Sequence, residues 1–263
     1  METLHNTLFI HGGPGLHSAV ERGWFGDILP ILWWDQPSVA GDPTPFRTLV
    51  THASRQLETM AESSGVRSDL IAHSFGGQIA TALAREYPDL IRHITLLGCP
   101  PDPIRPFVFF ARRLLEAGCE HPGLKDALAA AEDKCDENRF IALIQAIYPD
   151  GALPDIYFDP NSTGVRDRYF DMASKTPPLD IATFFAVMQE FIYTPNLMQS
   201  AEYDGKVEIV MGSHDPLIDL DEDKQKWLKV FTQAEFTLAD AGHILHLELS
   251  PEVWFRGKIP SLI

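Results

Sequence analysis

The sequence predicts an α/β fold with a mainly parallel, doubly wound sheet, because short apolar runs alternate with helical patterns at both ends of the chain. Apolar side chains at three- and four-residue spacings predict amphipathic helices over residues 46–64 and 76–87, and a C-terminal helix is expected from about 247. About six strands are expected, at residues 7–10, 28–34, 69–72, 91–97, 207–211 and 234–238.

The strand pattern is interrupted in the middle of the chain. It stops at Cys99-Pro100-Pro101 and resumes at Val207, and the segment between shows helices and loops without a convincing buried strand. We therefore expect one core domain over 1–99 and 201–263, interrupted by a helical cap insertion over 100–200. Six phenylalanines of this insertion are expected mostly to pack between it and the sheet: Phe107, Phe109, Phe110, Phe184, Phe185 and Phe191.

Charge and cysteine content exclude several classes of protein. The chain has 263 residues and a formal net charge of -16, which disfavours binding to nucleic acid or to anionic membranes. No apolar run approaches the roughly 20 residues that span a bilayer, and a cytoplasmic protein is expected. Cys99, Cys119 and Cys135 lie far apart without a CxxC pair, which indicates free thiols and neither a disulfide framework nor a zinc site.

The strongest local signal is Ala72-His73-Ser74-Phe75-Gly76-Gly77, which lies between a predicted strand and a predicted helix. A serine on such a tight turn is held in a strained conformation with its hydroxyl exposed, and small residues two positions before and after it let the backbones approach. Ser74 is therefore the candidate nucleophile. The alternative is that Ser74 only caps the following helix.

A second signal is His11-Gly12-Gly13-Pro14-Gly15, which follows the first predicted strand. Acyl transfer needs backbone N–H groups aimed where negative charge develops, and a glycine-rich loop supplies one without side-chain obstruction. We assign the oxyanion hole to the N–H groups of Gly13 and Phe75, with His11 supporting the loop. The alternatives are a plain glycine turn or, with less support, a phosphate-binding loop, which lacks the usual Lys-Ser/Thr.

Two further candidates follow late strands. Asp215 lies in Gly212-Ser213-His214-Asp215-Pro216 and His243 in Ala241-Gly242-His243, which gives the chain order Ser, Asp, His. A serine hydroxyl needs an adjacent base, and the base needs a carboxylate that fixes its tautomer. The competitors for these roles are Asp219, Asp240 and His246, and a metal site built from the histidines lacks any typical ligand spacing.

On these motifs the chain resembles the α/β-hydrolase superfamily, and within it the proline iminopeptidase and related esterase group. The residues that carry the resemblance are His11-Gly12-Gly13-Pro14-Gly15, Asp35-Gln36, His73-Ser74-Phe75-Gly76-Gly77 and Gly242-His243 with His246-Leu247-Glu248. The chain departs from the group after Gln36, where Pro37-Ser38-Val39 replaces an arginine-glycine continuation, and at Ala72, where the group has glycine. The resemblance also implies two leading antiparallel strands, for which this sequence has no room, so the strand near Ile31 becomes an edge.

These observations predict a serine hydrolase that cleaves a small ester, amide or short peptide through an acyl-enzyme and needs no cofactor. The first alternative is an aminopeptidase for N-terminal proline, with Glu190 and Glu202 as candidates to hold the substrate ammonium. The alternative from another class is a non-catalytic ligand-binding protein. A homodimer formed through the apolar edge strand is a further expectation.

Overall fold

Among the residues that the structure describes, six strands pair side by side in one sheet, and every neighbouring pair is parallel. The computed structural model describes residues 6–26, 28–149, 154–194 and 201–257. In chain order the strands are β1 (Thr7–Ile10), β2 (Ile31–Trp34), β3 (Ser68–His73), β4 (Ile91–Leu97), β5 (Lys206–Gly212) and β6 (Glu235–Ala239). Their order across the sheet is β2-β1-β3-β4-β5-β6, which confirms the predicted fold class and the number of strands.

Ten α-helices accompany the strands in the described part of the chain. They are α1 (Ala19–Phe25), α2 (Pro45–Ser64), α3 (Gly76–Glu86), α4 (Arg105–Glu116), α5 (Leu124–Asp133), α6 (Glu137–Ile147), α7 (Thr163–Ala173), α8 (Ile181–Tyr193), α9 (Leu220–Val230) and α10 (Leu245–Glu248). The C-terminal helix begins slightly earlier than expected, and it is short because Pro251, three residues after its end, starts a separate 3₁₀ turn.

Two hydrophobic cores lie on the two faces of the sheet, because successive side chains of a strand point to opposite faces. In β1, Leu8 and Ile10 belong to the core with α2, α3, α8 and α9, whereas Phe9 belongs to the core with α1, α4, α5 and α10. All four residues of β1 are buried, as a central parallel strand requires. The sheet is therefore covered by helices on both sides.

Strand β2 lies at one end of the described sheet, as expected, and α1 with its N-cap residue contacts its backbone. Arg22 donates from Nη1 to the carbonyl oxygen of Trp33 over 3.1 Å, and Ser18 Oγ lies 3.4 Å from that of Trp34. The strand begins later than the apolar run at Ile28 suggests, because Pro30 has no N–H for pairing. Side chains of the same molecule thus bond to carbonyl oxygens of β2, and the homodimer stays a prediction.

Helices α4 to α8 occupy the chain between β4 and β5, and no strand is found among their described residues. Three of the six phenylalanines of this segment are buried (Phe110, Phe184 and Phe191) and the other three are partly buried. The expected ends of the domains at 1–5, 195–200 and 258–263 lie outside the described residues. No helix in the described part of the chain is long and apolar enough to cross a bilayer.

Candidate active site

Ser74 lies on a sharp turn between β3 and α3 and has a φ of 51°. It is the one non-glycine residue with a positive φ among the described residues, a conformation that costs a residue with a side chain about 1–2 kcal/mol. The turn is fixed by the Ser74 N–H, which donates to Leu97 O over 3.0 Å, and by the Gly77 N–H, which donates to Ser74 O over 3.0 Å. The N-cap residue of α3 is Phe75 and not Ser74, so the helix-cap alternative does not describe Ser74.

Small residues around Ser74 allow the backbones to meet. A Cβ atom at Gly76 would collide with the carbonyl oxygen of Ile10, so glycine is needed where α3 crosses the end of β1. Ala72, in place of the group's glycine, is fully buried in the core below the turn, and its methyl group is accommodated there. The departure at Ala72 therefore leaves the turn intact.

His243 contacts both of its expected partners. Its Nε2 lies 2.9 Å from Ser74 Oγ, and its Nδ1 lies 2.8 Å from Asp215 Oδ2. Asp215 and His243 are both buried, and the second carboxylate oxygen of Asp215 accepts the Leu217 N–H over 2.9 Å. With Nδ1 protonated toward the carboxylate, Nε2 offers its lone pair to the Ser74 hydroxyl. The structure thus brings the three sequence-predicted side chains into one hydrogen-bonded line.

Glycines bring the two late loops together. A Cβ atom at Gly212 would collide with the carbonyl oxygens of Ala241 and Gly242, so the turn after β5 can touch the turn after β6 only without a side chain there. Gly98, with a φ of 53°, leaves the space that Asp215 Oδ2 fills, since a Cβ atom at Gly98 would lie 3.1 Å from that oxygen. Backbone contacts therefore set the distance between Asp215 and His243.

The residues considered as alternatives to Asp215 and His243 make other contacts. Asp219 caps α9 by accepting the Glu222 N–H over 3.1 Å, and Asp240 Oδ1 lies 2.9 Å from His214 Nε2 at the surface. His246 is buried, and its Nε2 lies 3.1 Å from Glu21 Oε1. The described residues contain no cluster of three or more His, Cys, Asp or Glu side chains that could hold a metal ion.

The glycine-rich loop after β1 lies directly against Ser74. A Cβ atom at Gly12 would lie 2.8 Å from Ser74 Cβ, and Gly13 has a φ of 55° that favours glycine. His11 is buried under the loop, where its Nδ1 lies 2.8 Å from Gly12 O and its Nε2 accepts the Gln36 N–H over 3.2 Å. These contacts agree with the supporting role expected for His11, and they involve Gln36 of the Asp35-Gln36 motif.

Two residues that motif reasoning missed hold the His243 loop. Tyr157 O accepts the His243 N–H over 2.6 Å, and the two rings meet edge to face with centroids 5.2 Å apart. Glu248 accepts the N–H of Gly242 over 3.1 Å and that of Asp159 over 2.9 Å, and burial raises the pKa of this carboxyl. Glu248 belongs to the His246-Leu247-Glu248 segment that carries the family resemblance, but no role is predicted for it from the sequence. No sequence pattern marks Tyr157, because its contact with His243 joins distant parts of the chain.

The acidic groups considered for an amino-terminal substrate have other surroundings in the described structure. Glu190, on α8, accepts the Phe46 N–H at the first turn of α2 over 2.8 Å. Burial, which outweighs the opposing bond to Phe46, raises the pKa of Glu190. Glu202 is exposed. Glu190 therefore caps a helix, and no contact among the described residues places either carboxylate beside Ser74.

Comparison with known protein families assigns the chain to a family. The model of the alpha/beta hydrolase fold family matches residues 8–249, and no curated protein sequence matches at a significant level. The chain therefore belongs to the α/β-hydrolase fold family, as the motifs around Ser74 indicated.

Several solved structures share the fold at low sequence identity. A proline iminopeptidase-related protein from Thermus thermophilus is 21% identical with a TM-score of 0.62, over 95% of this chain and 86% of that one. A thermophilic esterase from Thermogutta terrifontis is 18% identical with a TM-score of 0.58, over 94% and 85%. A 2-hydroxy-6-oxo-6-phenylhexa-2,4-dienoate hydrolase from Rhodococcus sp. strain RHA1 is 18% identical with a TM-score of 0.51, over 92% and 85%. At these identities the likeness extends to the fold alone.

Proposed function

We propose that this protein is a serine hydrolase that cleaves small esters or amides through an acyl-enzyme. The observation that carries the proposal is the line of contacts from Ser74 Oγ to His243 Nε2 and from His243 Nδ1 to Asp215 Oδ2, at 2.9 Å and 2.8 Å. Hydrogen bonds of this length allow a proton to pass from the serine to the imidazole as the serine attacks.

In the proposed reaction, Ser74 Oγ attacks the substrate carbonyl carbon while His243 takes the hydroxyl proton. The tetrahedral intermediate then collapses, the bond to the leaving group breaks, and His243 gives the proton to the departing oxygen or nitrogen. Water attacks the acyl-enzyme by the same route and releases the acid, so atoms and protons balance over the cycle. Asp215 keeps the imidazole in the required tautomer and stabilises its protonated form.

The proposed oxyanion hole consists of the N–H groups of Gly13 and Phe75. Phe75 precedes the first residue of α3, where the N–H groups of a helix have no carbonyl partner within the helix. Gly13 follows Gly12, which packs on Ser74, so its backbone lies beside the nucleophile. Loss of one such donor costs about 10²–10³ in kcat in well-studied hydrolases, which makes this pair the largest electrostatic contribution we expect.

We further propose that helices α4 to α8 act as a cap that shapes the substrate pocket. Its α8 packs on the nucleophile turn, because the ring of Phe191 meets that of Phe75 with centroids 6.0 Å apart, and its Tyr157 meets His243. The cap thus touches the residues on both sides of the proposed reaction centre. Substrate selection is assigned to this segment.

Hydrolysis assays against a matched substrate panel test the proposal. Nitrophenyl esters of short acids and nitroanilides of N-terminal proline would be compared with parent protein and with Ser74→Ala. Turnover of the esters that disappears in the variant supports the proposal, and preferential cleavage of the proline amides would replace it with the aminopeptidase alternative. Ligand-induced thermal stabilisation without turnover of any substrate would favour the non-catalytic binding protein.

A further inference from the structure

The segment that leads into α8 is bonded to both loops that follow the first two strands. The Asp180 N–H donates to Gly15 O over 2.9 Å, which ties the start of α8 to the glycine-rich loop. A Cβ atom at Gly15 would collide with the carbonyl oxygen of Asp180, so the two backbones are in direct contact. Nearby, His17 Nε2 lies 2.7 Å from Pro177 O.

The side chain of Asp180 joins the same segment to the loop after β2. Its Oδ2 accepts a bond from Ser38 Oγ over 2.6 Å and one from Thr183 Oγ1 over 2.7 Å, and its Oδ1 accepts the Thr183 N–H over 3.1 Å. Thr183 Oγ1 in turn accepts the Val39 N–H over 2.9 Å. Ser38 and Val39 stand where the chain departs from the arginine-glycine continuation of the resembling group.

The charge state of Asp180 suits this arrangement. The bond from Ser38, followed by those from Thr183, lowers the pKa of the carboxyl, so it is ionised near neutral pH and accepts all three bonds. Thr183 is fully buried although its neighbours Ile181 and Ala182 are exposed. A buried hydroxyl that donates to Asp180 and accepts from Val39 has its hydrogen-bonding capacity satisfied only while α8 is seated on the loops.

We propose that Asp180 is a positioning residue for the oxyanion hole. Its side chain, bonded to Ser38 and Thr183, fixes the start of α8 so that its backbone N–H holds Gly15, and with it the glycine-rich loop, in place beside Ser74. The oxyanion-hole N–H groups are then correctly placed only when α8 is packed on the two loops. The inference rests on the proposed function for its catalytic consequence, whereas the ordering of the loop by α8 does not depend on it.

Asp136 provides a matched control, because it is the N-cap residue of α6 as Asp180 is of α8. Asp136 caps α6 by accepting the Arg139 N–H over 3.1 Å, as Asp180 caps α8 by accepting that of Thr183. Replacement of either aspartate by alanine removes one N-cap, worth about 1 kcal/mol of stability. Of the two aspartates, Asp180 alone also bonds through its side chain to Ser38, in the loop after β2, so the two variants separate capping from positioning.

The test combines amide hydrogen exchange over residues 11–17 with steady-state kinetics on a nitrophenyl ester, for Asp180→Ala, Thr183→Val, Thr183→Ser and Asp136→Ala. We expect faster amide exchange in Asp180→Ala and Thr183→Val only. In these two variants kcat should be about tenfold lower and KM should stay within about twofold of the parent, since a misplaced loop weakens transition-state stabilisation more than substrate binding. Thr183→Ser keeps the hydroxyl and should behave as the parent.

Unchanged exchange over residues 11–17 in both Asp180→Ala and Thr183→Val would overturn the inference, as would an equal loss of kcat in Asp136→Ala. A parent protein without turnover would instead defeat the proposed function, while the exchange comparison would still decide whether α8 orders the loop. The two failures are therefore distinguishable.

Discussion

His73 Nε2 lies 2.9 Å from the carbonyl oxygen of His243, so the residue before the proposed nucleophile is bonded to the backbone of the proposed base. A carbonyl oxygen only accepts, and Nε2 must therefore carry the proton. Burial, followed by the charges of His246 and His243, lowers the pKa of His73 well below 6.5. The ring is thus a neutral donor that holds the His243 loop.

Acid should destabilise the protein through His73. The unfolded chain binds a proton at this histidine below about pH 6.5 and the folded chain does not, so the free energy of unfolding falls as the pH drops through that value. Between pH 8 and pH 5.5 the loss from one such group is about 1.4 kcal/mol. Urea unfolding of the parent and of His73→Asn at both pH values measures it.

The comparison of parent and variant isolates His73 from other groups. The pKa of His11 is also lowered, mainly by burial. Burial raises the pKa of Asp223 to about 6, so the contribution of Asp223 to stability has the opposite pH dependence to that of the two histidines. Both groups are present in parent and His73→Asn. An identical pH dependence in the two proteins would show that His73 is not held neutral.

Gly12→Ala should disrupt the reaction centre. The added Cβ atom would lie 2.8 Å from Ser74 Cβ and 2.9 Å from His73 Nδ1, and it would push the glycine-rich loop away from the nucleophile. A shift of about 1 Å at an active site costs on the order of 10²-fold in rate, and we expect kcat/KM to fall by about that factor. Steady-state ester hydrolysis measures the change.

Gly164→Ala is the control for this substitution, because Gly164 lies in α7 and nothing would lie within 4 Å of a Cβ atom there. It should retain parent activity and gain about 0.5–1 kcal/mol of stability from the better helix propensity of alanine. Equal activity of the Gly12 and Gly164 variants would contradict the close packing of the loop on Ser74.

The strained backbone of Ser74 predicts that a glycine variant at this position is at least as stable as an alanine variant. In most positions alanine is more stable than glycine by roughly 0.5–1 kcal/mol. At a φ of 51° a side chain costs about 1–2 kcal/mol, which offsets that difference. Ser74→Gly should therefore be at least as stable as Ser74→Ala in chemical denaturation, and a clearly less stable glycine variant would show that the turn is unstrained.

Loss of the Glu248 carboxylate should loosen the His243 loop. Glu248→Ala leaves the N–H groups of Gly242 and Asp159 without their acceptor, at a cost of about 1–3 kcal/mol of stability, and should lower kcat because Gly242 precedes the proposed base. Glu252→Ala, at an exposed position nearby, should stay within about 0.5 kcal/mol of the parent. Thermal denaturation and ester hydrolysis of the two variants test this, and matching behaviour would remove Glu248 from the account.

The fold could be predicted because its signals are local. Strands such as β1 and β2 are short, mainly apolar runs bounded by turns. The glycine after the Ser74 turn, Gly76, marks a place where two backbones touch. The sharp turn of Ser74, the glycine-rich loop and the loops of Asp215 and His243 each follow a strand, and parallel strands bring those ends to one edge of the sheet.

The contacts between α4–α8 and the core could not be predicted, because they join residues far apart in the chain. Asp180 meets Ser38 across 142 positions, and Asp159 meets Glu248 across 89. No periodicity marks such pairs, and each depends on how the helices between β4 and β5 lie on the sheet. The residues that we propose to select a substrate are therefore those on which the sequence is least informative.

Labelling with a fluorophosphonate probe tests the central claim most directly, with the adduct located by mass spectrometry in the parent, Ser74→Ala, His243→Ala and Asp215→Asn. An activated serine predicts rapid labelling of Ser74 in the parent, none in Ser74→Ala, and labelling slower by several orders of magnitude without the base or its carboxylate. Folded parent protein that stays unlabelled, or that is labelled equally well without His243, would contradict the account.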